Sequence, residues 1–125
     1  MFVKKKGELI VKVSFEGIGQ KVATFEVETK LEVGKVVSMA ENGIVRLAKE
    51  NEKFVGVVVE SAGKIASVQF AGFAKLKFSG EVPQAALGWA QVCTNADGGV
   101  KLNADGRPVL LLEIDRENNQ LGLML

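Results

Sequence analysis

An all-β fold, built as a small single-domain β-barrel or sandwich of about nine or ten short, mostly antiparallel strands, is predicted by three features of the chain. Apolar runs rich in Val, Ile and Phe are short, and several alternate with charged residues, the pattern of strands with one wet face. Turn signals such as Asn42-Gly43, Ala62-Gly63 and Asp97-Gly98 separate these runs at intervals of roughly ten residues. No stretch keeps a helical period for more than two turns; the best candidate, Gln84-Ala85-Ala86-Leu87, is short and follows Pro83. At 125 residues one domain suffices, and the division expected is a basic amino-terminal arm over residues 1–7 followed by a single β domain over residues 8–125.

Leu9-Ile10-Val11-Lys12-Val13-Ser14-Phe15 reads as a strand with Leu9, Val11, Val13 and Phe15 on one face. Gly17-Ile18-Gly19-Gln20 is a hairpin connection rather than a phosphate-binding loop, because no helix follows to present its N–H groups. The next strand, Val22 to Glu28, alternates Phe25 and Val27 with Glu26 and Glu28. The stretch from Leu31 to Gly80 carries the densest strand and turn signals. Within it, Asn42-Gly43 between two β-branched runs predicts a hairpin with a type I′ turn, which needs positive φ at both residues. Ala48 to Lys53 reads as a solvated charged loop or single helical turn. Phe54-Val55-Gly56-Val57-Val58-Val59 is too short and too β-branched for a helix and reads as a central strand. Ile65 to Phe78 reads as one long strand, bent by a bulge or kink at Gly72, with Leu76 and Phe78 toward a core and Lys75 and Lys77 toward water. Strand character restarts at Gly88-Trp89-Ala90-Gln91-Val92-Cys93. The echo of Asn95-Ala96-Asp97-Gly98 in Asn103-Ala104-Asp105-Gly106 marks two tight turns around a short strand. A closing hairpin, Pro108 to Asp115 and Leu121 to Leu125, ends the chain; its apolar last strand must pair inside a sheet or be covered by a neighbouring subunit.

Composition removes several classes of function. The chain has 16 Lys plus Arg against 15 Asp plus Glu, a formal net charge of +1, so no broad electrostatic footprint for nucleic acid is present. Apolar runs fall far short of the ~18 residues that suggest a membrane span, and Met1-Phe2-Val3-Lys4-Lys5-Lys6 has no apolar segment of signal-peptide length; a protein made in the cytoplasm, with no membrane partner, is expected. With no histidine, serine triads, cysteine–histidine dyads and histidine-bearing zinc sites are excluded. The single Cys93 cannot form an intramolecular disulfide and, with no base nearby in sequence, reads as a small buried apolar residue.

Few residues remain as site candidates. Lys4, Lys5 and Lys6 form a basic arm that could dock on an acidic partner surface, although termini usually fray unless tied down. Trp89 is the only tryptophan: a binding platform is one use, but a core plug or interface anchor is the commoner role of a lone indole beside glycine in a small β domain. The Asx-Gly echoes resemble fragments of a calcium loop without its acidic ligand run or terminal bidentate glutamate, so turns explain them better. Asp97, Asp105 and Asp115 are the only carboxylate-enzyme candidates, and they fall at turns and strand ends rather than as a facing pair. No catalytic residue, metal ligand or cofactor-binding residue is assigned.

The order of elements carries a resemblance. Val33-Gly34-Lys35-Val36-Val37, then Gly43-Ile44-Val45 with Ala48, then Gly56-Val57-Val58, then Ala66-Ser67-Val68 with Gly72-Phe73-Ala74, then Gly88-Trp89-Ala90 and the late apolar hairpin resemble the small capsid-decoration (head cement) proteins and related capsid-associated β-barrel proteins of tailed phages. The resemblance spans roughly residues 22–125 and rests on hydrophobics and glycines, not on catalytic residues. It implies a non-enzymatic phage or prophage virion protein, often a trimer, that binds the major capsid protein lattice on the outer face of the mature head and stiffens it. The resemblance places no capsid contacts and does not reach residues 1–21; on physical grounds the docking element expected for that role is the basic arm at Lys4, Lys5 and Lys6, and Trp89 with the apolar carboxyl-terminal strand is expected at a subunit interface. The alternative is a small-molecule or carbohydrate-binding β-barrel, against which stand the few aromatics (seven Phe, one Trp, no Tyr).

Overall fold

Twelve strands alternate with tight turns in the computed structural model, which describes residues 2–3, 11–12 and 18–125. In chain order they are β1 (Phe2–Val3), β2 (Val11–Lys12), β3 (Lys21–Val27), β4 (Val36–Glu41), β5 (Ile44–Leu47), β6 (Gly56–Ala62), β7 (Ile65–Ala71), β8 (Phe73–Lys77), β9 (Gly88–Thr94), β10 (Val100–Leu102), β11 (Arg107–Asp115) and β12 (Gln120–Met124), with one 3-10 turn at Gln84–Ala86. The fold is all-β. Among the described residues the two-residue strands β1 and β2 pair with each other and the other ten form two layers. Most of the strand expected at Leu9 to Phe15 lies outside the described residues.

The first layer is a closed barrel in the order β3-β5-β4-β6-β7. Its one parallel pair is β3 with β5, through Glu26 opposite Ile44 and Val27 opposite Val45. Val27, Leu31, Val37, Val45, Val58, Ala66 and Val68 fill the interior, with Phe25 packed against them. The second layer is a five-stranded antiparallel sheet in the order β10-β9-β11-β12-β8. Its two outer strands curl toward each other, since Phe78 bridges Val100 and the Ser79 N–H donates to the Val100 carbonyl at 3.1 Å. The carboxyl-terminal strand β12 therefore lies between β11 and β8, with Leu121 and Leu123 fully buried.

A second core joins the layers. Val36, Phe54 and Val57 from the barrel meet Leu76, Val92, Val109, Leu111, Leu121 and Leu123 from the sheet. Val36 and Val37 are adjacent and both 0% exposed, because successive side chains point to opposite faces of a strand and this strand has a core on each side. That accounts for runs such as Val57-Val58 that show no alternation.

Three expectations are corrected. Ile65 to Phe78 is two strands in different layers, β7 of the barrel and β8 of the sheet, and Gly72 is where the chain crosses. Gly72 has φ +92°, and a Cβ there would lie 2.6 Å from the Gln20 Cα and 2.7 Å from the Gln20 N, so the crossing depends on the absence of a side chain. The Asn42-Gly43 hairpin forms, but only Gly43 has positive φ (74°), so the turn is not type I′; the register shift between Met39 and Glu41 supplies the twist that turn would have given. The loop from Ala48 to Lys53 is not simply solvated. Asn51 N–H donates to the Thr94 carbonyl at 2.8 Å, and Thr94 N–H donates to the Glu52 carbonyl at 3.0 Å, tying the barrel to the sheet.

Candidate interaction surface

Gly88-Trp89-Ala90-Gln91 alternates across β9. Ala90 packs against the inter-layer core, so Trp89 faces outward, and it is 79% exposed. The core-plug reading is thereby excluded. The register places Trp89 opposite Leu110 on β11, Leu110 opposite Met124 on β12, and Met124 opposite Phe73 on β8. Residues directly opposite share a face, so an apolar row crosses four strands at spacings of about 4.8 Å. Leu110 and Met124 are half-buried; Leu87, just before the strand, is also exposed. Burying so large an exposed indole on a partner is the kind of contact that anchors protein interfaces.

Beyond that row the face becomes charged. Glu113, Gly122 and Lys75 form the next row of partners, and Asp115, Gln120 and Lys77 another. Acids thus stand on β11 and lysines on β8, balancing one another. Asp115 accepts from the Asn118 backbone N–H (3.1 Å) and from Asn118 Nδ2 (2.9 Å), and these bonds hold its carboxyl below its ordinary range. Its role is to brace the β11–β12 turn.

A groove opens where the chain crosses between layers. It encloses about 350 Å³ and is lined by Gln20, Val33, Val57, Val58, Val59, Gln69, Phe73, Ala74 and Lys75. Val33 is 63% exposed and Val59 partly so. Gln69 is buried; its Nε2 donates to the Ala71 carbonyl at 3.0 Å and the Phe73 carbonyl at 2.8 Å, clasping the chain on both sides of Gly72. Among the described residues its Oε1 accepts one bond, a long one of 3.5 Å from Gln20 Nε2, which leaves acceptor capacity in the groove. Nothing in sequence spacing signals this groove, because its residues come from five separate segments.

The other candidates are accounted for by structure. Asn95 Oδ1 accepts from Asp97 N–H and Gly99 N–H, both at 2.8 Å, while its Nδ2 donates to Ser79 Oγ and the Val100 carbonyl. Asn103 Oδ1 likewise accepts from Asp105 N–H at 2.8 Å. These are Asx turns whose oxygens face backbone N–H groups. Asp105 and Asp115 lie at opposite ends of β11, separated along the strand by roughly 30 Å. Among the described residues no three His, Cys, Asp or Glu side chains group closely enough to hold a metal ion. Cys93 is a free, buried thiol. Lys4, Lys5 and Lys6 lie outside the described residues. A bidentate pair, Arg46 with Glu52 at 2.8–2.9 Å, pulls the Glu52 carboxyl down to about 2, and Lys49 N–H adds a third bond.

No protein-family model and no curated protein matches the chain. Among solved structures the fold is similar to the N base of head fiber gp8.5 of bacteriophage phi29, with a TM-score of 0.61 at 14% sequence identity, covering 85% of this chain and 93% of that one.

Proposed function

We propose that this chain is a non-enzymatic structural protein of a tailed phage or prophage that binds the outer surface of the capsid as a homo-oligomer, a trimer by preference, and stabilises the shell. The observation that carries this reading is the fold likeness to a phage head fiber base along nearly the whole of that base, in a chain whose surface offers Trp89 as an exposed anchor. Such a protein acts by burying complementary surface on a lattice. A contact worth about 4 kcal/mol is only millimolar by itself, but linking several such contacts in one oligomer raises avidity by roughly 10²–10⁴-fold. Binding that favours the assembled lattice stabilises it by mass action. Trp89 and the apolar row serve the subunit interface, and Lys4, Lys5 and Lys6 dock on acidic capsid surface. The protein is made in the host cytoplasm and ends on the head surface.

Co-sedimentation with expanded and unexpanded heads of a phage from the same source tests this. Saturable binding to expanded heads is expected, and absence of binding to either form rejects the proposal. Deleting residues 1–7 should weaken the binding; unchanged binding would remove the arm from the docking surface.

A further inference from the structure

We propose that Trp89 of one copy of this chain seats in the groove at the Gly72 crossing of a second copy, among Gln20, Val33, Val59, Gln69, Phe73 and Lys75. The inference rests on the homo-oligomer part of the reading above and adds which two surfaces meet.

The chemistry of the two surfaces is complementary. An indole presents a large apolar ring, a π face and one N–H donor. The groove presents two exposed valines, Val33 and Val59, and the Phe73 ring as apolar walls. Lys75, whose cation suits an aromatic face, also lines it, as does Gln69, whose carbonyl oxygen has one described bond, a long one, and suits the indole N–H. About 350 Å³ of groove accommodates a ring system of this size. With a net charge of +1, copies do not repel one another strongly.

Trp89 lies on β9 and Phe73 on β8, with β11 and β12 between them, so the indole and the groove are about 14 Å apart across the sheet. The two patches share one face of the sheet, so two copies can satisfy both contacts reciprocally about a two-fold axis, and more copies can satisfy them around a ring. An aromatic residue brings roughly 150–250 Å², about a quarter of the ~800 Å² each partner buries in a stable interface. Trp89 is thus the centre of the contact, and Leu87, Leu110 and Met124 around it extend the area.

Because Trp89 is the only tryptophan, its emission reports the contact directly, with no capsid present, so this test and the capsid assay fail independently. Emission, iodide quenching and mass by light scattering are measured from micromolar to near-millimolar protein for the full chain, Trp89→Ala and Val33→Glu, with circular dichroism confirming each fold. The expected result is that the native emission shifts to the blue and loses quenching several-fold as mass rises, and that both variants stay monomeric with Trp89 of Val33→Glu exposed. Mixing the two variants pairs the only tryptophan with the only intact groove, so the blue shift should return. A monomer with exposed Trp89 at every concentration overturns the proposal. So does association that leaves Trp89 exposed, Val33→Glu that still shields it, or a mixture that fails to restore the shift.

Discussion

Replacing Gly72 by alanine should destabilise the protein by about 3–5 kcal/mol, far more than the same change at Gly80. Two terms contribute at Gly72. Its φ of +92° lies where an L-residue is strained by roughly 1–3 kcal/mol. Its Cβ would also stand 2.6–2.8 Å from three backbone atoms of Gly19 and Gln20, and backbone cannot turn aside as a flexible side chain does, so overpacking adds about 1–3 kcal/mol. Gly80 has a similar φ of +77° but nothing within 4 Å of its Cβ, so only the strain applies there, roughly 1–2 kcal/mol. Urea denaturation followed by far-ultraviolet circular dichroism measures both. The difference between the variants isolates the cost of the close approach between the crossing and the start of β3. If the Gly72 variant loses no more stability than the Gly80 variant, the crossing does not depend on that contact and the account of how β7 passes to β8 is wrong.

Leu123→Ala, at a fully buried position in the inter-layer core, should cost about 2–5 kcal/mol, whereas Trp89→Ala should change monomer stability by no more than ~0.5 kcal/mol; denaturation midpoints of the two at low concentration check the contrast. Glu52 has its pKa lowered from 4.5 to about 2, so its contribution is present above the unfolded value and is lost as pH falls through the folded one. At a partly exposed site that contribution is about 1 kcal/mol after screening. Glu52→Gln should therefore be less stable than the native chain at neutral pH, and the gap should close between pH 4.5 and about 2; a gap that persists at the acid end refutes the pairing. Asn95→Ala strips acceptors from the N–H groups of Asp97 and Gly99 and should cost roughly 2–4 kcal/mol. Thermal unfolding of the native chain should be indifferent to added calcium, and a raised midpoint would show that the turn carries an ion.

Local chemistry alone determined that the chain is all-β, that hairpins turn at Asn42-Gly43, at Gly63 and at Glu117 to Asn119, and that Leu76 is buried while Lys75 and Lys77 are not, because alternation and turn residues act over a few positions. The Asn95 and Asn103 turns were legible for the same reason. The hairpin expected at Gly17 to Gln20 is not one, since among the described residues β3 pairs with β5 and β7 rather than with β2. Local pattern could not say which of two cores a valine enters, since Val36 and Val37 are equally apolar yet serve opposite faces of the barrel wall. Nor could it show that Gly72 separates two layers, because a bulge and a crossing ask the same freedom of glycine. The exposure of Trp89 was likewise invisible: a tryptophan between Gly88 and Ala90 reads the same whether its face of the sheet is covered or bare. Tertiary structure decided these points by stacking one face of the second sheet on the barrel and leaving Trp89 exposed on the other, and by bringing Gln20, Val33, Val59, Gln69 and Phe73 from distant segments into one groove.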